Sequence, residues 1–330
     1  MSAAVNLEVR EKVLSRRTLL KDGAIGLCGA VLPVLASDEI VFAQQAAVPG
    51  DLATGAIDAH SHVWTPDVER YPLAAPFKPA DMAPPSFTAQ QLLAQARPYG
   101  VSRVVLIQMS YYGFDNRYML DAMRELPGVF SAVAVIDEHG AQLAEKMRDL
   151  KKQGVRGFRI HPAQQPVDPW LSSPGMAAMW KIGASERLAM CALINPESLP
   201  AIDRMCEKFP DTPVVIDHFA RIGVDGTIRD SDVANLCRLA RHKHAHVKVS
   251  AFYALGKKKS PYLDLAPMIR SLVNAFGPER LMWATDCPYQ VQEGHKYLDS
   301  IELVRSRLDF LSDADRQWLL RKTSQRVFFS

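Results

Sequence analysis

From Gly55 onward the chain repeats one pattern: a short β-branched run, a polar or proline-rich loop, then a stretch with apolar residues at helical spacing. That alternation builds parallel sheets, because a strand rejoins its neighbour in parallel only through a crossover, usually a helix. Strands are predicted over 56–63, 103–109, 130–136, 155–161, 188–194, 213–218, 246–251 and 280–285. Helices are predicted over 88–97, 117–126, 141–152, 175–187, 197–208, 230–242, 263–276 and 297–310. Eight strands, each followed by a helix, in roughly 250 residues or a little more, is the arithmetic of a (β/α)8 TIM barrel. A doubly wound open sheet is the competing arrangement, but no GxGxxG turn follows the first strand. A last helix over 313–327, with Ser312 as its N-cap, is expected on the outside of the barrel. The segment 64–87 carries Pro66, Pro72, Pro76, Pro79, Pro84 and Pro85, and a loop this long inside a compact domain reads as a functional lid.

The stretch ahead of the repeat reads differently. Ser15-Arg16-Arg17-Thr18-Leu19-Leu20-Lys21 precedes an uncharged Gly/Ala/Leu-rich run over 23–36, with small residues near Val41-Phe42-Ala43. The apolar run falls short of the ~20 residues a spanning helix needs, so 1–43 is expected to be a cleavable signal peptide and linker, without a stable membrane anchor. The paired arginines select the twin-arginine export machinery, which gives a periplasmic address and hints at a cofactor loaded before export. Residues 44–330 then form one barrel domain. Lysine plus arginine number 39 against 36 aspartate plus glutamate, a balance with no nucleic-acid footprint; it leaves a homo-oligomer open. The five cysteines, Cys28, Cys191, Cys206, Cys237 and Cys287, form no CxxC pair and read mostly as small buried hydrophobes.

Polar residues gather at the C-terminal ends of the predicted strands, the catalytic rim of a barrel. Strand one ends in His60-Ser61-His62, strand four in Arg159-Ile160-His161, strand six in Asp217-His218 and strand eight in Thr285-Asp286. Residues two apart on a strand share a face, so His60 and His62 can converge on one point. Two imidazoles, a distant third and a carboxylate can hold a divalent cation with one position left for water. The cation would lower the pKa of that water and polarise an ester carbonyl, while a free carboxylate or imidazole took the proton. Asp286 suits the carboxylate role and His218 a carbonyl-polarising or proton-transfer role. His161, ahead of Pro162, reads equally as site or turn. Arg221, Tyr253 and Tyr289 fall on rim loops and are expected to line the pocket, and Lys257-Lys258-Lys259 form a solvated loop that would steer an acidic substrate.

Strand pleat suggests which side chains point inward. Phe158 and Ile160 should face the helices, turning Arg159 and His161 in. Ile57 and Ala59 should do the same for Asp58, His60 and His62, and Val247 and Val249 for Lys248 and Ser250. Charges inside a barrel need partners, so Asp58 is expected to pair with Arg159 or Lys248, or else to leave a cation free for an anionic substrate. His242, His244 and His246 read as surface, and His139 and His295 have no assigned role.

Four segments, Ile57-Asp58-Ala59-His60-Ser61-His62, Val215-Ile216-Asp217-His218, Val247-Lys248-Val249-Ser250 and Leu281-Met282-Trp283-Ala284-Thr285-Asp286-Cys287-Pro288, resemble the amidohydrolase superfamily. The resemblance spans residues 55–328 and is closest to the amidohydrolase-related branch, which includes lactonases acting on sugar lactones and pyrone dicarboxylates, and aromatic-acid decarboxylases. It implies a (β/α)8 barrel, with His60, His62 and Asp286 holding a divalent metal, zinc first among candidates, and His218 as the strand-six histidine. Metal-binding members usually offer a histidine at the end of strand five, where this chain reads Leu193-Ile194-Asn195-Pro196. Either His161 or His218 then completes the site, the metal is held weakly, or Asp286 activates water directly without metal. His161, Arg159 and Asn195 join the expected substrate-binding residues. The function expected is an exported hydrolase opening a sugar-derived or carboxylated lactone; a metal-dependent decarboxylase and a non-catalytic ligand-binding barrel are the alternatives.

Overall fold

The computed structural model describes residues 52–162 and 166–330; the export segment predicted over 1–43 lies outside the described residues. Among the described residues, eight strands form one sheet in sequence order: β1 Ala56–Ser61, β2 Val101–Ile107, β3 Phe130–Ala134, β4 Val155–Ile160, β5 Ala189–Ala192, β6 Val214–Ile216, β7 Ala245–Val249 and β8 Leu281–Trp283. Every neighbouring pair from β1·β2 to β7·β8 is parallel. The sheet then closes on itself: Asp286 N donates to His60 O at 2.8 Å and His62 N to Cys287 O at 2.7 Å. This is the (β/α)8 barrel, and closure removes the free edges that a doubly wound sheet would keep.

The outer layer comprises α1 Ala89–Ala96, α2 Arg117–Glu125, α3 Leu143–Lys152, a short α4 Val167–Leu171, α5 Pro174–Glu186, α6 Leu199–Lys208, α7 Asp230–Arg238, α8 Ala266–Phe276, α9 Tyr297–Glu302, α10 Asp313–Gln317 and α11 Thr323–Phe328. None of the described helices is long and apolar enough to cross a membrane. Alternate strand residues divide between two apolar layers: Val104, Leu106 and Phe158 pack under the helices, while Val105, Ile107, Val133, Cys191, Val215 and Met282 fill the barrel. The interior is tight. At Gly157 on β4, a Cβ would come within 2.9 Å of Ala189 O and 3.1 Å of Cys191 Sγ.

β1 departs from simple alternation. Asp58 pairs with Val104 but Ser61 with Leu106, so three steps on β1 oppose two on β2, a bulge. Ile57 and Ala59 therefore lie in the barrel interior, not against the helices as predicted. Asp58 pairs with neither Arg159 nor Lys248. Its carboxylate instead accepts from His60 N, Ser61 Oγ, Thr285 N, Thr285 Oγ1 and Tyr297 OH. A buried carboxylate is tolerable when enough donors meet it, and here the donors come from both sides of the barrel seam. The alternation predicted for Arg159, Lys248 and Ser250 holds, and Lys248 finds Asp217 at 2.9 Å.

The C-terminal helices also differ from expectation. Ser312 caps α10 as predicted, its hydroxyl accepting from Asp315 N at 3.2 Å. The chain then continues through a π turn at Trp318–Lys322 into α11, and Phe328 enters the interior cluster instead of staying outside. It closes the barrel floor, its ring centroid 5.4 Å from Lys248 Nζ. His246, predicted on the surface, is buried at 7% exposure, its Nδ1 donating to His244 O at 3.0 Å. At the opposite end, the loop over 64–87 is pinned to the rim. Trp64 and Phe87 form an antiparallel bridge, Trp64 Nε1 donates to Pro84 O at 2.8 Å, and the indole packs edge-on against Tyr111.

Candidate active site

The bulged end of β1 carries His60 and His62, and the turn after β8 carries Asp286, so the two bonds that close the barrel also fix these three side chains against one another. His62 Nε2 lies 3.2 Å and His60 Nε2 3.5 Å from Asp286 Oδ1, and the two imidazole nitrogens are 3.3 Å apart. His62 Nδ1 donates to Ile107 O at 2.9 Å, which leaves the Nε2 lone pair facing inward. His60 Nδ1 sits 3.5 Å from Asp217 Oδ1 and 3.2 Å from Lys248 Nζ. Lys248 Nζ can only donate, so His60 Nδ1 accepts from it, while Asp217 Oδ1 meets no hydrogen bond among the described residues; the ring is held with Nε2 toward Asp286.

Two imidazole nitrogens and a carboxylate oxygen this close together need a shared proton or a cation between them. The edge of a tetrahedron with 2.0–2.1 Å bonds is about 3.3–3.4 Å, and the three separations bracket that value. Among the described residues this is the set whose donor atoms meet closely enough to hold a metal ion. The donors present fit a divalent cation.

Two of the groups stand on strained backbone. Asp286 has φ 69°, and the turn after β6 runs through four consecutive left-handed residues, His218, Phe219, Ala220 and Arg221, at φ 51°, 53°, 54° and 59°. Each costs on the order of 1 kcal/mol for a residue with a Cβ, and such conformations concentrate where side chains must be aimed. The β6 turn aims His218: its Nε2 lies 3.8 Å from Asp286 Oδ1, its ring centroid 4.3 Å from that of His60, and Ser250 Oγ holds its Nδ1 at 2.8 Å. Asp286 Oδ2 accepts from Tyr253 OH at 2.6 Å.

Charge follows from burial and pairing. Burial pushes the His60 imidazole well below its ordinary range, with the Lys248 cation adding to the effect. Burial likewise carries His218 down to about 4. For Asp217 burial opposes ionisation, but Lys248 and His60 outweigh it and hold the carboxyl well below the usual range. Burial also opposes ionisation of Asp286, and the surrounding imidazoles, His218 first, overcome it. At neutral pH His60 and His218 are therefore neutral and Asp217 and Asp286 ionised, the protonation state that ligands and a proton acceptor need.

The remaining predicted residues spread around this centre. Arg159 points inward from β4, its guanidinium 4.0 Å from Asp217 Oδ2, and its buried Nε meets no hydrogen-bond partner among the described residues. Tyr289 lies with its ring centroid 6.0 Å from that of His62 and 6.4 Å from that of Tyr253. His161, whose Nδ1 donates to Leu193 O at 2.9 Å, is not grouped with the three donors, and His218 is a further histidine that approaches Asp286 Oδ1, at 3.8 Å. Asn195 and Arg221 line an open groove of about 320 Å³ with Glu197, Val224 and Asp232, and Asn195 Nδ2 donates to Glu197 Oε1 at 3.1 Å. The strand-end pattern places Asp217 on the rim beside His218 but gives no sign of its contact with Lys248. The Ile107 carbonyl that orients His62 has no side-chain signature at all.

Residues 57–329 match the family model described as amidohydrolase. The chain is 28% identical over 251 residues to an L-fucono-1,5-lactonase of Burkholderia ambifaria, covering 72% of this chain and 82% of that protein. It is 30% identical over 255 residues to a 2-pyrone-4,6-dicarboxylate hydrolase of Comamonas testosteroni, covering 74% and 80%. A crystal structure of an amidohydrolase from Burkholderia multivorans with bound zinc superposes with a TM-score of 0.71 at 20% identity, covering 83% of this chain and 99% of that one.

Proposed function

The chain belongs to the amidohydrolase family, a hydrolase by that membership, and on that premise we propose that it opens a carboxylated or sugar-derived lactone with Asp286 as the base that deprotonates the attacking water. The observation that carries the reading is the meeting of Asp286 Oδ1 with three imidazoles, His62 at 3.2 Å, His60 at 3.5 Å and His218 at 3.8 Å, all four side chains buried. The lactone-hydrolase names of both curated relatives support the ester class.

His60, His62 and Asp286 would hold a divalent cation, with zinc favoured by the nitrogen-rich donor set and by the zinc of the solved amidohydrolase. When bound, that ion supplies Lewis acidity, making water a better nucleophile at neutral pH and polarising the ester carbonyl. Lys248 Nζ at His60 Nδ1 and the Ile107 carbonyl at His62 Nδ1 hold both rings in register. Ser250 Oγ, 2.8 Å from His218 Nδ1, fixes a ring whose Nε2 faces Asp286 Oδ1 and which, with its proton on Nε2, would stabilise the oxyanion that forms as water adds to the carbonyl. Arg159, with its unpaired Nε, and Tyr289 bind the substrate away from the reacting bond.

The test combines two measurements on protein purified without chelator: elemental analysis, and acid release from a lactone panel. About one equivalent of metal, lost in His60→Ala, together with acid release, is the expected result. Carbon dioxide release from aromatic acids without lactone opening would replace the hydrolase reading with a decarboxylase. Export through the twin-arginine route is also proposed, on the Arg16-Arg17 segment alone. A reporter fused after residue 43 should reach the periplasm, and Arg16→Lys with Arg17→Lys should retain it in the cytoplasm.

A further inference from the structure

The loop after β7 carries Lys257, Lys258 and Lys259 in succession, and all three side chains stand exposed. Both ends of this run are tied to the rim. Ahead of it, Tyr253 OH donates to Asp286 Oδ2 at 2.6 Å, and Gly256 N donates to Gly223 O, in the loop after β6, at 2.9 Å. Beyond it, Tyr262 N donates to Lys259 O at 3.0 Å, and the Tyr262 hydroxyl lies 2.7 Å from His295 Nδ1, in the loop after β8. The tip between these ties is built as well: Lys257 N donates to Asp264 Oδ2 at 2.7 Å and Lys258 N to Leu255 O at 3.0 Å. Gly256 turns the chain at φ 57°, where a Cβ would run into Asp264 Oδ2. Asp264 is the only carboxylate in residues 253–265 and it faces backbone, and among the described residues the three ammonium groups enter no ion pair. Exposed arginines elsewhere on the rim are matched, Arg229 to Asp225 and Arg117 to Asp115, each at 2.6 Å.

Four steps of chain separate Lys257 from Tyr253, so its Cα lies within about 14 Å of that of the residue bonded to Asp286. A charge at that range acts without contact. The Debye length is about 30 Å at 0.01 M salt and about 8 Å at 0.15 M, so three fixed positive charges there reach the site in dilute salt and are screened in strong salt. We propose that Lys257, Lys258 and Lys259 form the entry surface of the site, concentrating an anionic lactone at the rim and favouring a carboxylated lactone over a neutral one; this rests on the lactone-opening reading. A lysine ammonium is a compact, strongly hydrated charge on a flexible stem, suited to attracting an anion without holding it. The effect therefore falls on kcat/KM and leaves kcat alone. Arg159 acts inside the pocket, on substrate already bound, and it stays in place when the lysines are replaced.

Matched lactones test the proposal. D-Glucaro-1,4-lactone differs from D-glucono-1,4-lactone by a carboxylate in place of a hydroxymethyl group, and 5-oxotetrahydrofuran-2-carboxylate differs from γ-valerolactone by a carboxylate in place of a methyl group. In wild type, kcat/KM for the anionic member is expected to fall at least about 3-fold between about 0.01 and 0.15 M ionic strength, and that for the neutral member by less than about 1.5-fold. Lys257→Gln, Lys258→Gln and Lys259→Gln combined should lose about 3-fold or more of the anionic kcat/KM at about 0.01 M, together with most of its salt dependence, at unchanged kcat. Arginine at the same three positions should restore both. Equal losses on anionic and neutral members, a salt dependence unchanged by the glutamines, or no rescue by arginine would overturn the proposal. So would a wild type that opens only neutral members. If only anionic members open, the salt dependence in the glutamine and arginine variants decides alone. Wild-type protein that opens no member of either pair refutes the proposal together with the reading it rests on.

Discussion

Asp58 shows how much a single buried carboxylate organises here. Five donors meet it, from the His60–Ser61 end of β1, from Thr285 beside Asp286 and from Tyr297 on α9. Asn at this position keeps the shape but turns an NH2 group toward hydroxyls and amides that already donate. Each donor left unmet costs roughly 1–3 kcal/mol, so Asp58→Asn should lose at least about 2 kcal/mol of stability. It should also lower turnover, because both sides of the seam move. Urea unfolding and kcat check this, and an unchanged midpoint would contradict it. His246 supplies a test by pH. Burial first, then the Arg326 cation, lower its imidazole from 6.5 to about 4, so the folded chain refuses a proton that the unfolded chain binds. Stability is therefore expected to fall as pH drops from about 6.5 toward 4. His246→Asn should flatten that slope by up to about 3 kcal/mol, at about 1.4 kcal/mol per pH unit. Equal slopes in the two proteins would contradict the assignment. At this scale the sequence made His60, His62, His218 and Asp286 readable, because chemistry-bearing residues at strand ends stand out against apolar runs. Partners fixed only by tertiary closure, such as Thr285 and Tyr297 for Asp58, were not readable.

Among the elements, the strand and helix order was legible because each strand is an apolar run between turn-forming residues and each helix shows its own period. What escaped were irregularities with no local signature. The β1 bulge inverts the pleat for Ile57 and Ala59, and pattern alone does not mark one extra residue in a strand of six. The C-terminal helix carries an ordinary outer-layer pattern until Phe328, whose destination depends on where the π turn at Trp318–Lys322 sends the chain. Phe328 fills the barrel floor beneath Lys248, so Phe328→Ala should cost about 3–5 kcal/mol through lost burial and the cavity left behind. A urea midpoint shift corresponding to less than about 1 kcal/mol would show that the floor is closed by other residues.

Over the whole molecule, the barrel separates two tasks by its ends. The floor is sealed by Phe328, and the buried Lys248–Asp217 pair lies between it and the histidines. The rim carries the strained turns, the histidines and Asp286, and an aromatic wall from Trp64 through Tyr289 to Tyr253. That division follows from parallel strands, which bring every C-terminal end to one face, and it explains why a rim could be inferred from sequence while the closing contacts could not. The central claim is that Asp286 generates the nucleophile for lactone opening. Its most direct test is acid release from the lactone panel by wild-type protein and by Asp286→Asn, each analysed for metal content. The account predicts that a lactone opened by wild type is opened at least about 10³-fold more slowly by the variant. Wild-type rates in Asp286→Asn, or a wild-type protein that opens no lactone, would contradict it.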